Sequence, residues 1–325
     1  MAVYTEVSFD EAASLVARLG LGTLTALTGI RSGIENTNYF ADTARPDGHA
    51  ARYVLTVFER LSFEQLPFYL QLMKHLAERG VPVPGPKPDA GGEILHSLQG
   101  KPAAVVDCLR GDHRLAPDAS HCAHLGTTLA HMHLAGADFD MHQPNLRGLP
   151  WWEETVPVVR PFLTDAQREL IDTELAFQQQ VAASAAYATL PRGPVHADLF
   201  RDNAMFETTP AGDQLSGVFD FYFAGIDTLL FDIAVCLNDW CVDLESGRLD
   251  ESRATVLVAA YHTVRPLTHN ERRLLPALMR AAAFRFWLSR LWDLHLPRDA
   301  SLLTPHDPAH FERVLRQRIA APWHA

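Results

Sequence analysis

The residues best suited to chemistry lie in one run, Val195-His196-Ala197-Asp198-Leu199-Phe200-Arg201-Asp202-Asn203, with a second acidic position downstream at Asp220-Phe221. Asp198 supplies a carboxylate that can orient a hydroxyl group and take its proton. Asn203 follows across a loop short enough to bring its side-chain oxygen back to the same place, and Asp220 arrives from the end of a short apolar strand with a hard anionic oxygen. A proton acceptor beside two oxygen ligands for a divalent cation is the equipment of phosphoryl transfer, which needs positioning and charge neutralisation more than covalent help. His196 is expected to brace the loop through hydrogen bonds, since in an extended segment it faces away from Asp198. Asp232, in a helical stretch after Asp220, is a candidate acceptor for the loop's backbone. Any one of these residues taken alone would be read as a turn cap; the weight lies in their combination.

The surrounding sequence is of the α+β class. Ser8 to Glu11 has a capping-box pattern, and Ala12, Leu15, Val16 and Leu19 recur at helical spacing up to Gly20. Three β-rich stretches follow, Thr23 to Ile30, Thr37 to Thr43 and Arg52 to Glu59, with Gly29, Gly33, Pro46 and Gly48 at the turns. A second capping pattern, Ser62 to Gln65, predicts a helix ending at Gly80; two further strands, about Glu93 to Leu98 and Pro102 to Leu109, flank a Gln99-Gly100-Lys101 turn. The expectation is a five-stranded antiparallel sheet with helical cover. Beyond residue 110 helical periodicity dominates, over Ala119 to Ala135, Asp165 to Ala188, Thr228 to Leu244, Glu251 to Val264, Thr268 to Leu294 and Pro308 to Ile319. Two domains are therefore expected, residues 1–109 binding nucleotide and 110–325 carrying catalysis and substrate.

Composition narrows the function classes. With 325 residues, 47% hydrophobic and 21% charged, the chain can bury a large core. A net charge of -11 offers no basic field for nucleic acid or anionic lipid. The first ten residues lack the pattern of a signal peptide and no apolar run approaches a membrane span, so a cytoplasmic protein is expected. Cys108, Cys122, Cys236 and Cys241 show no CxxC pairing and read as reduced, packed thiols. The 16 histidines include His121 with His124 and His131 with His133, but no third ligand follows at a metal-site spacing.

The full pattern H-x-D-L-x-x-x-N followed by D-F resembles the aminoglycoside phosphotransferase and choline kinase group, whose fold is similar to that of protein kinases. Within it, Gly29 to Phe40, Tyr53 to Glu59, the 196–203 run, Asp220-Phe221-Tyr222-Phe223, Leu237 to Cys241 and Arg285 to Leu291 resemble the bacterial homoserine kinases, over nearly the whole chain. That resemblance implies a bilobal kinase-like fold, ATP and Mg2+ as cofactors, and L-homoserine as the phosphoryl acceptor, in threonine biosynthesis. It implies Asp198 as catalytic base, Asn203 and Asp220 as metal ligands, and Gly29, Arg31, Ser32, Gly33, Asn36, Asn38 and Thr56 as nucleotide contacts. Another hydroxylated substrate (an aminoglycoside, choline or a sugar) and a nucleotide-binding pseudokinase regulator are the alternatives. Two departures stand out. Thr56 occupies the position where this fold carries a phosphate-gripping Lys or Arg, so Arg60, Arg31 or the amides of the Gly29 to Gly33 turn would have to serve; Glu64 is the nearest candidate for that lysine's usual glutamate partner. Ala197 stands where protein kinases place an Arg that pairs with a phosphorylated loop, and the interval to Asp232 is too short for such a loop.

An amino-acid substrate calls for a cation to meet its carboxylate and an anion to meet its ammonium. Asp239, Arg285, Arg290 and Asp293 are the candidates. Arg285, Ser289 and Trp292 share a helical face that excludes Arg290. Trp240, Trp287 and Trp292 read as packing by their helical spacing, and the pair Trp151-Trp152 is left open between packing and an aromatic wall.

Overall fold

The computed structural model describes residues 5–30, 36–45, 48–296 and 306–325. Contacts within the chain separate two units, one running to Arg110 and including Ser216–Phe219, the other made of Gly111–Leu215 and Asp220–Ala325.

In the first unit α1 (Phe9–Arg18) starts at Ser8, whose side chain and that of Glu11 cap each other's backbone as the sequence predicts. The sheet is antiparallel, in the order β1-β2-β3-β5-β4, with β1 Thr23–Gly29, β2 Asn36–Ala44, β3 Ala50–Phe58, β4 His96–Leu98 and β5 Lys101–Asp107. Alternate residues of the central strands, Tyr39 and Ala41, then Tyr53, Leu55 and Val57, then Ala103 and Val105, form one core with Ala12, Leu15 and Val16 of α1. The helix α2 (Pro67–Glu78) starts later than the sequence predicts. Ser62 takes part in a single turn with Gln65, and Pro67, which lacks an amide hydrogen and so suits a first helical turn, opens the helix instead. The segment Ser216–Phe219 is tied to this unit: the Val218 amide donates to Pro82 O at 2.8 Å, and the Ser216 hydroxyl to Arg110 O at 2.6 Å. Gly217 lies so close to the Leu109 side chain that a Cβ would collide with it.

The second unit is mainly helical. Its helices are α3 (Ala119–Ala135), α4 (Leu149–Val159), α5 (Asp165–Ala182), α6 (Ala185–Ala188), α7 (Leu229–Trp240), α8 (Glu251–Val264), α9 (His269–His295) and α10 (Ala309–Ala320). The long helix expected over 165–188 breaks because Ser184 adopts an extended backbone and caps the Tyr187 amide, starting α6 afresh. The helix α7 stops at Trp240 rather than Leu244, as the chain turns to pair Val242 with Leu249. No periodic pattern announced α4, which carries Pro150 in its first turn and Pro157 inside. α3 and α8 lie so close at Gly126 that a side chain there would meet the Leu257 carbonyl. Among the short strands, β6 (Arg192–Val195) pairs antiparallel with β9 (Gly225–Thr228), and β7 (Ala204–Thr209) pairs with β8 (Gly212–Val218), which runs on into the Ser216–Phe219 segment of the first unit.

Candidate active site

The pairing of β6 with β9 sets the site. Val195 lies opposite Gly225, so the loop leaving β6 starts beside the segment that runs from the Asp220-Phe221 turn into β9, and α7, entered from the far end of β9, begins opposite Arg192. α7 is buried along its whole length, and Asp232, Cys236, Asp239 and Trp240 recur on it at helical spacing. Each of the four holds the loop. The Asp232 carboxylate accepts the amides of His196 at 2.7 Å and Ala197 at 2.6 Å; the Trp240 indole donates to Leu199 O at 3.0 Å, with Cys236 Sγ 3.7 Å from the same oxygen. Asp239 Oδ2 accepts from the Arg201 amide and from its Nε, at 2.8 and 3.0 Å. Arg201 also donates to the carbonyls of Asp239 and Leu115.

This clamp holds an unfavourable backbone. Ala197 has φ +63 and Asp220 φ +67, a region that residues with a Cβ avoid. The kink at Ala197 sets Asp198 apart from its buried neighbours: its side chain is 17% exposed, whereas His196 and Leu199 are sealed in. His196 Nδ1 accepts the Asp198 amide at 3.3 Å, which leaves the ring proton of the neutral imidazole on Nε2. Its ring packs on Phe221, 4.6 Å between centroids, and so ties the 196–203 loop to the Asp220-Phe221 turn. Asn203 Nδ2 donates to Asp198 O at 2.8 Å. Its Oδ1 and the Asp220 carboxylate are oxygen atoms of the kind that could hold a hard divalent cation.

Arg285 of α9 comes within 3.6 Å of Asp198, through Nη1 and Oδ1. It is 3% exposed, and burial pulls its pKa down to about 10, with the Asp198 charge opposing. The three other substrate candidates have contacts of their own. Asp239 is the buried partner of Arg201, a charge inside the loop. Arg290 stacks on Phe311 with 4.4 Å to the ring centroid and donates to Asp307 O, joining α9 to α10. Asp293 is exposed on α9. Among the described residues no group of three His, Cys, Asp or Glu side chains is placed to hold a metal. His121 binds Asp118 and Asp213, and His133 binds Tyr261 and Asp232.

In the first unit, Arg31, Ser32 and Gly33 lie outside the described residues. Gly29 ends β1, Asn36 begins β2, and Asn38 faces Thr56 across β2 and β3, where the Thr56 hydroxyl donates to Asn38 Oδ1 at 2.7 Å. Glu64 precedes α2 and takes the Ser62 hydroxyl. Sequence reasoning did not single out Lys87, which pairs with Asp107 at 2.6 Å, or Lys101, which pairs with Glu59. It also passed over Arg201 as an anchor, and over Phe223 and Phe286, whose rings flank Arg285. The Arg201 to Asp239 separation of 38 residues gives no local signal; only the placement of both in apolar surroundings hinted at a buried pair.

A model of the phosphotransferase enzyme family matches residues 26–267, about three quarters of the chain. The chain belongs to this family. Among curated relatives, a homoserine kinase of Polaromonas naphthalenivorans is 66% identical, with 99% of each chain covered. A homoserine kinase of Ralstonia nicotianae is 57% identical over 99% of this chain and 96% of its own. Among solved structures of this phosphotransferase fold, an amicoumacin kinase in complex with AMP-PNP and Ca2+ aligns at TM-score 0.65 and 16% identity, covering 96% of this chain and 92% of its own. A spectinomycin phosphotransferase in complex with ADP aligns at 0.64 and 10%, covering 96% and 95%.

Proposed function

We propose that this member of the phosphotransferase family is a homoserine kinase, moving the γ-phosphoryl group of ATP to the side-chain hydroxyl of L-homoserine to give O-phosphohomoserine, in the cytoplasm and toward threonine. The observation that carries the reading is Asp198, held by the clamped loop beside Asn203, in a chain 66% identical to a homoserine kinase along its whole length.

Asp198 accepts a hydrogen bond from the substrate hydroxyl and takes its proton as the new O–P bond forms and the bond from phosphorus to the ADP oxygen breaks. Asn203 Oδ1 and the Asp220 carboxylate would hold Mg2+, which would neutralise charge on the phosphate oxygens. Asp232 keeps Asp198 in place by fixing the two amides before it. His196 and Phe221 fix the two turns against each other. In the first unit, Gly29, Arg31, Ser32, Gly33, Asn36, Asn38 and Thr56 are assigned to the nucleotide; with no cation at Thr56, backbone amides and Arg31 are assigned to its phosphates.

The test is ADP formation with and without L-homoserine, alongside a panel of choline, kanamycin and simple sugars. Homoserine-dependent turnover in the presence of Mg2+ is the expected result. Turnover of choline or kanamycin with none of homoserine overturns the substrate, and nucleotide binding without any turnover makes the chain a pseudokinase.

A further inference from the structure

The scheme above leaves Arg285 unexplained. Nη1 faces Asp198, yet Nε and Nη2 are buried with no hydrogen-bond partner. The Phe286 and Phe223 rings have their centroids 3.8 and 5.0 Å from the guanidinium carbon, so aromatic rings flank the group and its in-plane edges remain for hydrogen bonding. Nε–H and one Nη2–H run parallel along a single edge, the fork that accepts both oxygens of a carboxylate at once. A buried guanidinium whose fork binds nothing is costly to keep, which is what a site awaiting an anion looks like. Asp198 and Asp293 act on Arg285 as opposing negative charges, and Arg147, stacked on Trp151 at 4.4 Å, and Arg290 act as further positive ones.

We propose that the Nε/Nη2 edge of Arg285 receives the α-carboxylate of the amino-acid substrate, so that Arg285 selects an α-amino acid over an uncharged or decarboxylated amino alcohol. The assignment rests on the homoserine reading. It also suits the reach of that substrate, because the four bonds from its carboxyl carbon to its hydroxyl oxygen extend about 5 Å, enough to run from one side of the guanidinium to the Asp198 side. Arg285 on this view contacts substrate directly while its third nitrogen steadies Asp198.

The experiment compares kcat/KM for L-homoserine and for L-homoserinamide, in which a neutral amide replaces the α-carboxylate, in the wild type, R285Q and R285K. The wild type is expected to favour homoserine by about 10²-fold or more, because the amide leaves a buried charged fork half met. R285Q is expected to lose most of that preference, through a fall in homoserine turnover, with homoserinamide changing less than about tenfold; R285K keeps the charge without the fork and falls between. A purely structural Arg285 lowers both substrates equally and keeps their ratio, which overturns the assignment. Should neither variant fold, the wild-type ratio decides: equal use of the two compounds overturns it. Absence of any homoserine-dependent ADP in the wild type sinks the substrate reading and this assignment with it, whereas homoserine turnover with an unchanged ratio sinks this assignment alone.

Discussion

Substituting Asp232 with Asn separates positioning from chemistry, because the side chain has zero exposure and touches no reacting atom. Its carboxylate accepts two backbone amides, at 2.7 and 2.6 Å, and His133 Nε2 at 3.2 Å. Asparagine has nearly the same shape but offers one oxygen; its NH2 group must confront a donor. At least one buried amide then loses its partner, at about 1–3 kcal/mol, and a bond to a charged acceptor becomes a neutral one, at about 1 kcal/mol more. The left-handed backbone at Ala197 is itself uphill by about 1–2 kcal/mol, so the loop has somewhere to relax. A bias of roughly 3 kcal/mol against the working geometry corresponds to about 10²-fold in the fraction of enzyme with Asp198 in position. Steady-state rates at saturating ATP and homoserine should show kcat lower by about that factor, with nucleotide affinity, measured by titration of a fluorescent ATP analogue, nearly unchanged. Circular dichroism checks that the variant is folded. A folded Asp232→Asn protein with kcat within a few-fold of wild type would refute the clamp.

Asp198→Ala is expected to lose about 10²–10⁴ in turnover while still binding ATP, and undiminished activity would remove Asp198 from its role. Asp220→Ala is expected to lose both metal and ATP affinity, seen as a higher Mg2+ requirement in the rate; an unchanged Mg2+ dependence counts against Asp220 as a ligand. Asp213 has its carboxyl held far below the usual range by hydrogen bonds from Arg114, then Thr208, then His121. Because the folded pKa is depressed, the stabilisation is present above the unfolded value of about 3.9 and fades as pH falls toward the folded one. Melting temperatures of the wild type should therefore exceed those of Asp213→Asn at pH 7, and the gap should shrink steadily below about pH 4; a gap independent of pH would show that the ion pair is not its source.

Much of the fold was legible because local signals and burial agreed. The capping pair at Ser8 and Glu11, the β-rich stretches that become β2 and β3, and the bounds of α3 and α8 follow from local sequence alone. The misses share a cause in tertiary context: α4 keeps two prolines inside a helix that packing stabilises, and Ser62 looks like a cap for α2 but stands a turn too early. At the candidate site, the run from His196 to Asn203 was visible because its members are close in sequence. The residues that hold it were harder to read, since Asp239 looks like any acid near a helix end until Arg201 is seen folded onto it. Likewise, the separation of Arg285 from Arg290 by helical face was readable, but the two unpartnered nitrogens of Arg285 exist only in three dimensions.

The strand segment Ser216–Phe219 belongs to the sheet unit although the whole of Gly111–Leu215 intervenes. On a ribosome, where the chain emerges from its N-terminus onward, the amide of Val218 reaches Pro82 only after two thirds of the protein has been made. The five strands are all made by Asp107, yet the unit they belong to must wait for its last segment through the synthesis of half of the helical unit, and a fragment ending at Arg110 would lack a piece of itself.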